Sequence, residues 1–143
     1  MLRGIPSCIS PTLLSILMEM GHGDELVLAD GNFPGASVAR RLVRADGHDV
    51  PTLLNAILQF MPLDDFVPHP VGLMAVVAGH NYQPDIWPRY LEIIRGYEPR
   101  IQEFEYLERF AFYERARSAY AVVATSESAL YANIILKKGI VAC

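Results

Sequence analysis

The sequence predicts a single α/β domain in which helices cover both faces of a sheet. Apolar runs typical of short strands alternate along the chain with segments typical of helices, and this alternation favours the α/β class. The chain has 143 residues, a length that suits one domain with its own hydrophobic core. It contains no internal repeat, low-complexity tract or linker. We therefore expect residues 1–143 to form one domain.

Capping and turn residues predict the first elements. Ser10 can cap a helix whose first position is Pro11, and Gly21 can end that helix in a left-handed turn. The segment "ELVLAD", residues 25–30, then predicts a short buried strand. The segment "GNFPG" that follows it has the composition of a turn.

The middle of the chain predicts strand, helix and strand in turn. The segment "SVARRLVRADG" fits either a helix or a strand, and we favour a strand near residues 42–45. The segment "DVPTLLNAILQFMP" predicts a helix that begins at Asp49 or Pro51 and ends before Pro62. The apolar run "VGLMAVVAG" then predicts a buried strand.

The second half of the chain predicts two helices followed by two strands. The segment "QPDIWPRYLEIIRGY" predicts a helix with Pro88 in its first turn. The segment "FEYLERFAFYERARSA", residues 104–119, predicts an amphipathic helix. The segments "YAVVATS" and "YANIILKKGIVA" predict two closing strands separated by "ESAL".

Composition excludes several classes of function. The chain is 52% hydrophobic and only 20% charged, a low charge for a small domain, so we expect subunit contacts to cover part of its surface. The net charge is −4 and no dense basic run occurs, which argues against a nucleic-acid partner. The longest apolar run is too short to span a bilayer, and the segment "MLRGIPSCIS" lacks the apolar core of a signal peptide. We expect a cytoplasmic protein without a membrane partner.

Metal and disulfide sites are also not expected. The two cysteines, Cys8 and Cys143, form neither a disulfide framework nor a zinc-binding spacing. No spacing typical of metal-binding histidines occurs around His22 or His80. The other three histidines (His48, His69 and His80) lie in turn-like segments and are assigned no role.

Two residues flanking the first predicted strand are candidates for chemistry. His22 lies between two glycines, which let a loop hold the imidazole at an unusual angle for proton transfer, although an exposed loop histidine without a role is the common alternative. Asp30 ends the strand, where ligand groups gather in open α/β sheets. An Asx turn into Gly31 and Asn32 explains Asp30 equally well.

Two further candidates lie in the second half. Arg109 shares a helix face with Phe112 and Tyr113 and offers fixed donors to ligand oxygens, or it simply pairs with Glu105 on the surface. The segment "YAN", residues 131–133, begins the last predicted strand and offers a ring face and an amide group to a polyol. Asparagine is a poor strand residue, so Asn133 is the more informative position of this segment.

Four segments together resemble the L-fucose mutarotase and D-ribose pyranase family, and the match is closer to the fucose branch. They are "LRGIP", "ISPTLLSILMEMGHGDELVLADGNFP", "RFAFYERARSAYAVVATSE" and "YANIILKKG", and they occur in order over nearly the whole chain. The resemblance implies a cofactor-free enzyme that interconverts the anomers of a monosaccharide such as L-fucose. It also implies a ring-like homo-oligomer, often a decamer.

The resemblance assigns roles to particular residues. It makes His22 the proton donor and Asp30 and Arg109 contacts of the sugar, and it completes the pocket with Tyr131, Ala132 and Asn133. The chain departs from the fucose-type pattern "TGE" at Ser126, which replaces a glycine before the pocket segment. Two alternatives remain open: activity on another aldose such as D-ribose, and a non-catalytic sugar-binding protein on the same scaffold.

Overall fold

The computed structural model describes all residues from 1 to 143 and contains five helices and six strands. The helices are α1 (Pro11–Glu19), α2 (Gly35–Val38), α3 (Val50–Leu58), α4 (Ile86–Tyr97) and α5 (Arg109–Ser118). The strands are β1 (Glu25–Ala29), β2 (Leu42–Ala45), β3 (Val71–Met74), β4 (Glu105–Leu107), β5 (Ala121–Thr125) and β6 (Ile134–Lys137). The strand favoured at residues 42–45 is therefore confirmed as β2.

Side-chain caps begin two of the helices as the sequence predicts. The Ser10 hydroxyl accepts a hydrogen bond from the Leu13 N–H at 3.1 Å, and the Asp49 carboxylate accepts one from the Thr52 N–H at 2.9 Å. The expected left-handed turn at Gly21 is wrong, because the residue with positive φ after α1 is Gly23, at 86°. The Gly21 N–H instead donates to the Asp24 carboxylate, so the turn closes two residues later than expected.

The strands form one mixed sheet in the order β2-β5-β1-β6-β3-β4. Strand β1 lies at its centre, parallel to β5 on one side and antiparallel to β6 on the other. Strands β2 and β5 are parallel, β3 and β4 are parallel, and β3 is antiparallel to β6. All strands except β6 consequently run in the same direction, so their carboxyl ends share one edge of the sheet with the amino end of β6.

Helices pack on both faces of this sheet. On one face, alternate residues of the central strands, such as Leu26 and Leu28, join a large core with side chains of α1, α3 and α4. On the other face, Val27 and Ala29 join a smaller core with α2 and α5. Because successive residues of a strand point to opposite faces, the central strand β1 is buried on both of its sides.

Two further sequence-based assignments differ from the structure. Residues 105–107 were expected in a helix but form the edge strand β4, paired with β3. The Glu108 carboxylate accepts hydrogen bonds from the Phe110 and Ala111 N–H groups, so α5 begins only at Arg109. The last strand was expected to begin at Tyr131 but begins at Ile134, because Tyr131 has a φ of 57° and cannot continue a strand.

None of the helices combines the length and the apolar character required to cross a lipid bilayer.

A close backbone approach beside β6 generates a stability prediction. A Cβ atom at Gly139 would lie 2.7 Å from the Leu63 carbonyl oxygen. We expect Gly139→Ala to lower the free energy of unfolding by roughly 1–3 kcal/mol, the usual effect of overpacking. Gly96 is the matched control, since it lies inside α4 with no atom within 4 Å of the corresponding Cβ position. Gly96→Ala should raise the same quantity by about 0.5–1 kcal/mol. Urea unfolding measures both, and an unchanged midpoint for Gly139→Ala would contradict the close approach.

Candidate active site

The sheet topology gathers four loops at one edge, one of which joins β5 to β6. Asp30 follows β1, Glu127 follows β5, His80 lies beyond β3 and Arg109 follows β4. Asn133 directly precedes β6, whose amino end adjoins the carboxyl end of β1 because Ile134 pairs with Leu28. Residues more than one hundred positions apart therefore meet at this edge.

A pocket of about 250 Å³ opens between these loops. It contains four of the five residues that the resemblance assigned to the sugar, namely Asp30, Arg109, Tyr131 and Asn133. Its remaining walls come from the end of β3, from loops and from helix α5: Asn32, Phe33, Met74, Val77, His80, Tyr113 and Leu130. The fifth assigned residue, Ala132, is fully buried behind this wall.

Asp30 and Asn133 are joined directly. The Asp30 N–H donates to the Asn133 side-chain oxygen at 2.8 Å. The amide nitrogen of Asn133 is therefore the group of that side chain that remains for a ligand.

The Asp30 carboxylate accepts a hydrogen bond from the Asn32 N–H at 2.9 Å, so the Asx turn considered from the sequence does form. The turn and a ligand contact are compatible, because a carboxylate has two oxygens with several lone pairs. Burial raises the pKa of Asp30, and hydrogen bonds from the Asn32 and Phe33 N–H groups only partly oppose this effect.

Two side chains of α4 hold the backbone of the Tyr131–Asn133 segment. The Trp87 indole N–H donates to the Tyr131 carbonyl at 2.8 Å, and the buried Tyr90 hydroxyl donates to the Ala132 carbonyl at 2.6 Å. The left-handed conformation of Tyr131 is unfavourable for a residue with a Cβ atom, by about 1–2 kcal/mol. These anchors stabilise that conformation and so present the Tyr131 side chain to the pocket.

Arg109 is exposed at the first position of α5. Its Nε lies 3.4 Å from the Tyr113 hydroxyl, and this contact raises the pKa of the already basic guanidinium. The alternative pairing of Arg109 with Glu105 is wrong, because Glu105 binds Arg115 at 3.0 Å.

The aromatic side chains near Arg109 differ in their position. Phe112 is fully buried in the core and does not line the pocket, whereas Phe33 and Tyr113 do.

His22 lies at the opposite edge of the sheet. It precedes β1 and its Nε2 is 2.9 Å from a carboxylate oxygen of Asp64. Burial opposes ionisation of Asp64, but hydrogen bonds from His22 and from the Phe66 N–H outweigh it and lower the pKa of this carboxyl. The His22 side chain remains 41% exposed, so the imidazole is held by a carboxylate yet open to a partner. Within one chain, His22 and the pocket are separated by the length of β1.

Three residues missed by sequence reasoning contribute to these two regions. Asp64 orients His22, and His80 lines the pocket within hydrogen-bonding distance of Tyr131. Glu127 is buried, and its carboxylate accepts hydrogen bonds from the Val50 and Ala129 N–H groups. The only available signal was residue type, because buried acids and isolated histidines have no characteristic spacing.

Ser126, the residue that departs from the family pattern, makes a contact that glycine cannot make. Its hydroxyl accepts a hydrogen bond from the Gly47 N–H at 2.7 Å, and its own N–H donates to the His48 carbonyl at 3.0 Å. The loop after β5 is thereby tied to the turn after β2. The serine stiffens this loop without entering the pocket.

The raised pKa of Asp30 generates a prediction on stability. A carboxyl whose pKa is raised by folding stabilises the native state in acid, and this contribution is lost as the pH rises through its folded pKa. We therefore expect Asp30→Asn to raise the melting temperature at pH 7 and to lose this advantage towards pH 3. Asp46→Asn is the control, since Asp46 is exposed beside Arg44. Thermal unfolding across this pH range measures the difference, and a lower melting temperature for Asp30→Asn at pH 7 would contradict it.

Comparison with known proteins identifies related chains over nearly the full length. Residues 3–141 match the model of the RbsD / FucU transport protein family. An L-fucose mutarotase of Actinobacillus pleuropneumoniae is 49% identical over 140 residues, which cover 98% of this chain and 97% of that protein. A fucose mutarotase of Mus musculus is 49% identical over 144 residues, covering 96% and 94% of the two chains.

A solved structure is similar in fold and in sequence. The fucose mutarotase of Streptococcus pneumoniae, crystallised in complex with L-fucose, superposes with a TM-score of 0.94 at 53% identity. The match covers 99% of this chain and all of that one. With the family model matched almost from end to end, the chain belongs to the RbsD / FucU family.

Proposed function

We propose that this protein is an L-fucose mutarotase, an isomerase that interconverts the α and β anomers of L-fucose by opening and closing the sugar ring. The observation that carries this proposal is the pocket at the sheet edge, where Asp30, Arg109, Tyr131 and Asn133 converge. The 49% identical L-fucose mutarotase of Actinobacillus pleuropneumoniae and the fucose-bound relative support the choice of substrate.

The chemistry requires only proton transfer. Ring opening needs a proton on the ring oxygen and removal of the proton from the anomeric hydroxyl, and reclosure on the other face reverses both transfers. An imidazole can both give and take a proton, and the Asp64 carboxylate 2.9 Å from Nε2 holds the ring of His22, which suits His22 to donate the first proton. A well-placed acid or base contributes roughly 10²–10⁴-fold, and because the reaction already proceeds in water, no cofactor is required.

The pocket residues suit a small polyol with one apolar end. The Asp30 carboxylate can accept from sugar hydroxyls, while the Asn133 amide nitrogen and the Arg109 guanidinium can donate to them. The rings of Phe33 and Tyr113 form an apolar wall that can contact the C6 methyl group of L-fucose. Phe112, which follows Arg109 on the same helix, lies in the core and is not part of this wall.

The position of His22 implies that the site is shared between subunits. Residues 25–30 extend over roughly 20 Å, much more than the length of one sugar ring. His22 of one chain can therefore reach a sugar only in the pocket of a neighbouring chain. A head-to-tail contact of this kind repeats around a closed ring, and we propose a ring-like homo-oligomer, a decamer, as the active form.

We place this activity in the cytoplasm. Cys8 and Cys143 do not form a disulfide framework of the kind that stabilises small secreted domains.

Exchange measurements test the activity and its substrate. Saturation transfer between the anomeric protons should show faster exchange for L-fucose than for D-ribose, because ribose lacks the methyl group that meets the Phe33 and Tyr113 rings. His22→Ala should lower the exchange rate by roughly 10²–10⁴-fold in a protein that remains folded. Faster exchange of D-ribose would overturn the substrate assignment, and binding of L-fucose without any exchange would favour a non-catalytic sugar-binding protein.

Mixing of inactive variants tests the shared site. His22→Ala and Asn133→Ala proteins are dissociated, mixed and reassembled, and we expect activity to return because some sites then combine an intact His22 with an intact pocket. A mixture of Asp30→Ala with Asn133→Ala is the control, since every pocket in it carries one defect. If proven mixed oligomers of the first pair stay inactive, the two residues do not meet across subunits.

A further inference from the structure

Phe66 is a largely exposed aromatic residue beside His22. The residue is 72% exposed, and the centroid of its ring lies 5.0 Å from that of the His22 imidazole. Single exposed apolar side chains are common on protein surfaces, so exposure alone assigns Phe66 no role. Its place next to His22, the residue proposed to act on a neighbouring chain, is the informative observation.

The backbone beneath Phe66 is held in one arrangement together with His22. One oxygen of the Asp64 carboxylate accepts the Phe66 N–H at 3.1 Å and lies 2.9 Å from His22 Nε2. The Arg100 guanidinium donates to the carbonyl groups of Leu63 and Asp64 at 3.0 and 3.2 Å. His22 and Phe66 therefore form one unit, and a neighbouring chain that meets the imidazole also meets the phenyl ring.

The opposite edge of the sheet offers apolar groups at the pocket. Val77 and Leu130 line the pocket and are still 48% and 47% exposed within one chain. Both are aliphatic, so they can pack against an aromatic ring that approaches from outside.

Charges at the two edges are also complementary. Asp65, next to Phe66, is exposed and forms no ion pair within the chain, and the same holds for Arg109 at the pocket. Opposite charges on two surfaces favour and orient their association. The edge that carries Phe66 thus fits the pocket edge of a second copy of this chain.

Given the shared site proposed above, we infer that the Phe66 ring of one subunit packs on Val77 and Leu130 of the next and closes the mouth of its pocket. A proton passes from His22 to the sugar only over hydrogen-bonding distance, about 2.6–3.2 Å. The Phe66 ring, 5.0 Å from the imidazole, then lies at the rim of the same pocket. The contact removes apolar surface of both chains from water. Phe66 covers the sugar and takes no part in proton transfer.

Disulfide cross-linking tests the contact without reference to activity. Cys8→Ser and Cys143→Ser remove the native thiols, and Phe66→Cys is then combined in one chain with either Val77→Cys or Leu130→Cys. A disulfide needs Cα atoms about 4.4–6.8 Å apart, whereas these positions lie at opposite edges of the sheet within one chain. Oxidation with diamide should therefore join different chains, and electrophoresis without a reductant should show a ladder of multimers for at least one pair.

The matched control places the first thiol elsewhere on the surface. Met18 is 81% exposed on α1 and lines none of the pocket, so Met18→Cys combined with Leu130→Cys should give no ladder. A missing ladder for both Phe66 pairs, in a protein whose oligomers are seen by sedimentation, would overturn the contact. A ladder as strong for the Met18 pair would overturn its specificity.

Titration with L-fucose tests the closing of the pocket. Phe66→Ala should weaken the affinity about tenfold, in line with the loss of a buried aromatic side chain. Phe66→Leu should keep most of the affinity, because leucine is still apolar and large, and Met18→Ala should behave as the wild type. The pH dependence of turnover should stay unchanged in Phe66→Leu, since no titrating group is removed.

Each result has a defined meaning. Wild-type affinity in Phe66→Ala, or an equal loss in Phe66→Leu, would overturn the closing of the pocket by an apolar ring. If Phe66→Ala does not assemble, Phe66→Val, which keeps more apolar surface, replaces it. A ladder in a protein that shows no anomer exchange would confirm the contact and refute the proposed function instead.

Discussion

The antiparallel pairing of β6 with β1 determines where the pocket residues lie. Because Ile134 pairs with Leu28, the residue before β6 meets the residue after β1, and the Asp30 N–H reaches the Asn133 side chain. The remaining strands run parallel to β1 and deliver their carboxyl-terminal loops to the same edge. A β6 strand that ran in the other direction would carry Asn133 to the edge of His22.

Buried polar groups then hold the loops around the pocket in one arrangement. Glu127 accepts hydrogen bonds from the first residue of α3 and from its own loop, and Trp87 and Tyr90 bind the carbonyl groups of the pocket segment. A buried polar group that loses its partner destabilises a protein by about 1–3 kcal/mol, so these contacts leave the loops few alternatives. Recognition of a small polyol depends on such rigidity, since donors and acceptors must face its hydroxyl groups in fixed positions.

Much of the fold follows from local patterns in the sequence, and the exceptions have physical reasons. Ser10 and Asp49 cap their helices because each offers an oxygen to a free N–H group, which is a local effect. Residues 105–107 were predicted as helix because their pairing with β3 is a contact between distant segments. The positive φ of Tyr131 has the same origin, since it depends on anchors from α4.

The candidate site was predictable only where residues could be matched to a family. Four of the assigned sugar contacts do converge on one pocket, but their individual patterns were equally compatible with turns, surface pairs or core packing. The missing partners, Asp64 and His80, lie 42 and 51 residues from the side chains they contact. No local periodicity carries information over such separations.

The central position of β1 also has a consequence for the newly synthesised chain. Strand β1 is made early, but both of its neighbours lie between residues 121 and 137, about a hundred residues later. Until those residues leave the ribosome, an apolar segment with two unpaired edges has no native partner, and such segments are prone to associate with other chains. Contacts this distant in sequence also form slowly. The arrangement that brings the pocket together is therefore completed only near the end of synthesis, and before then β1 can be shielded only by helices, of which α1 and α3 are made early.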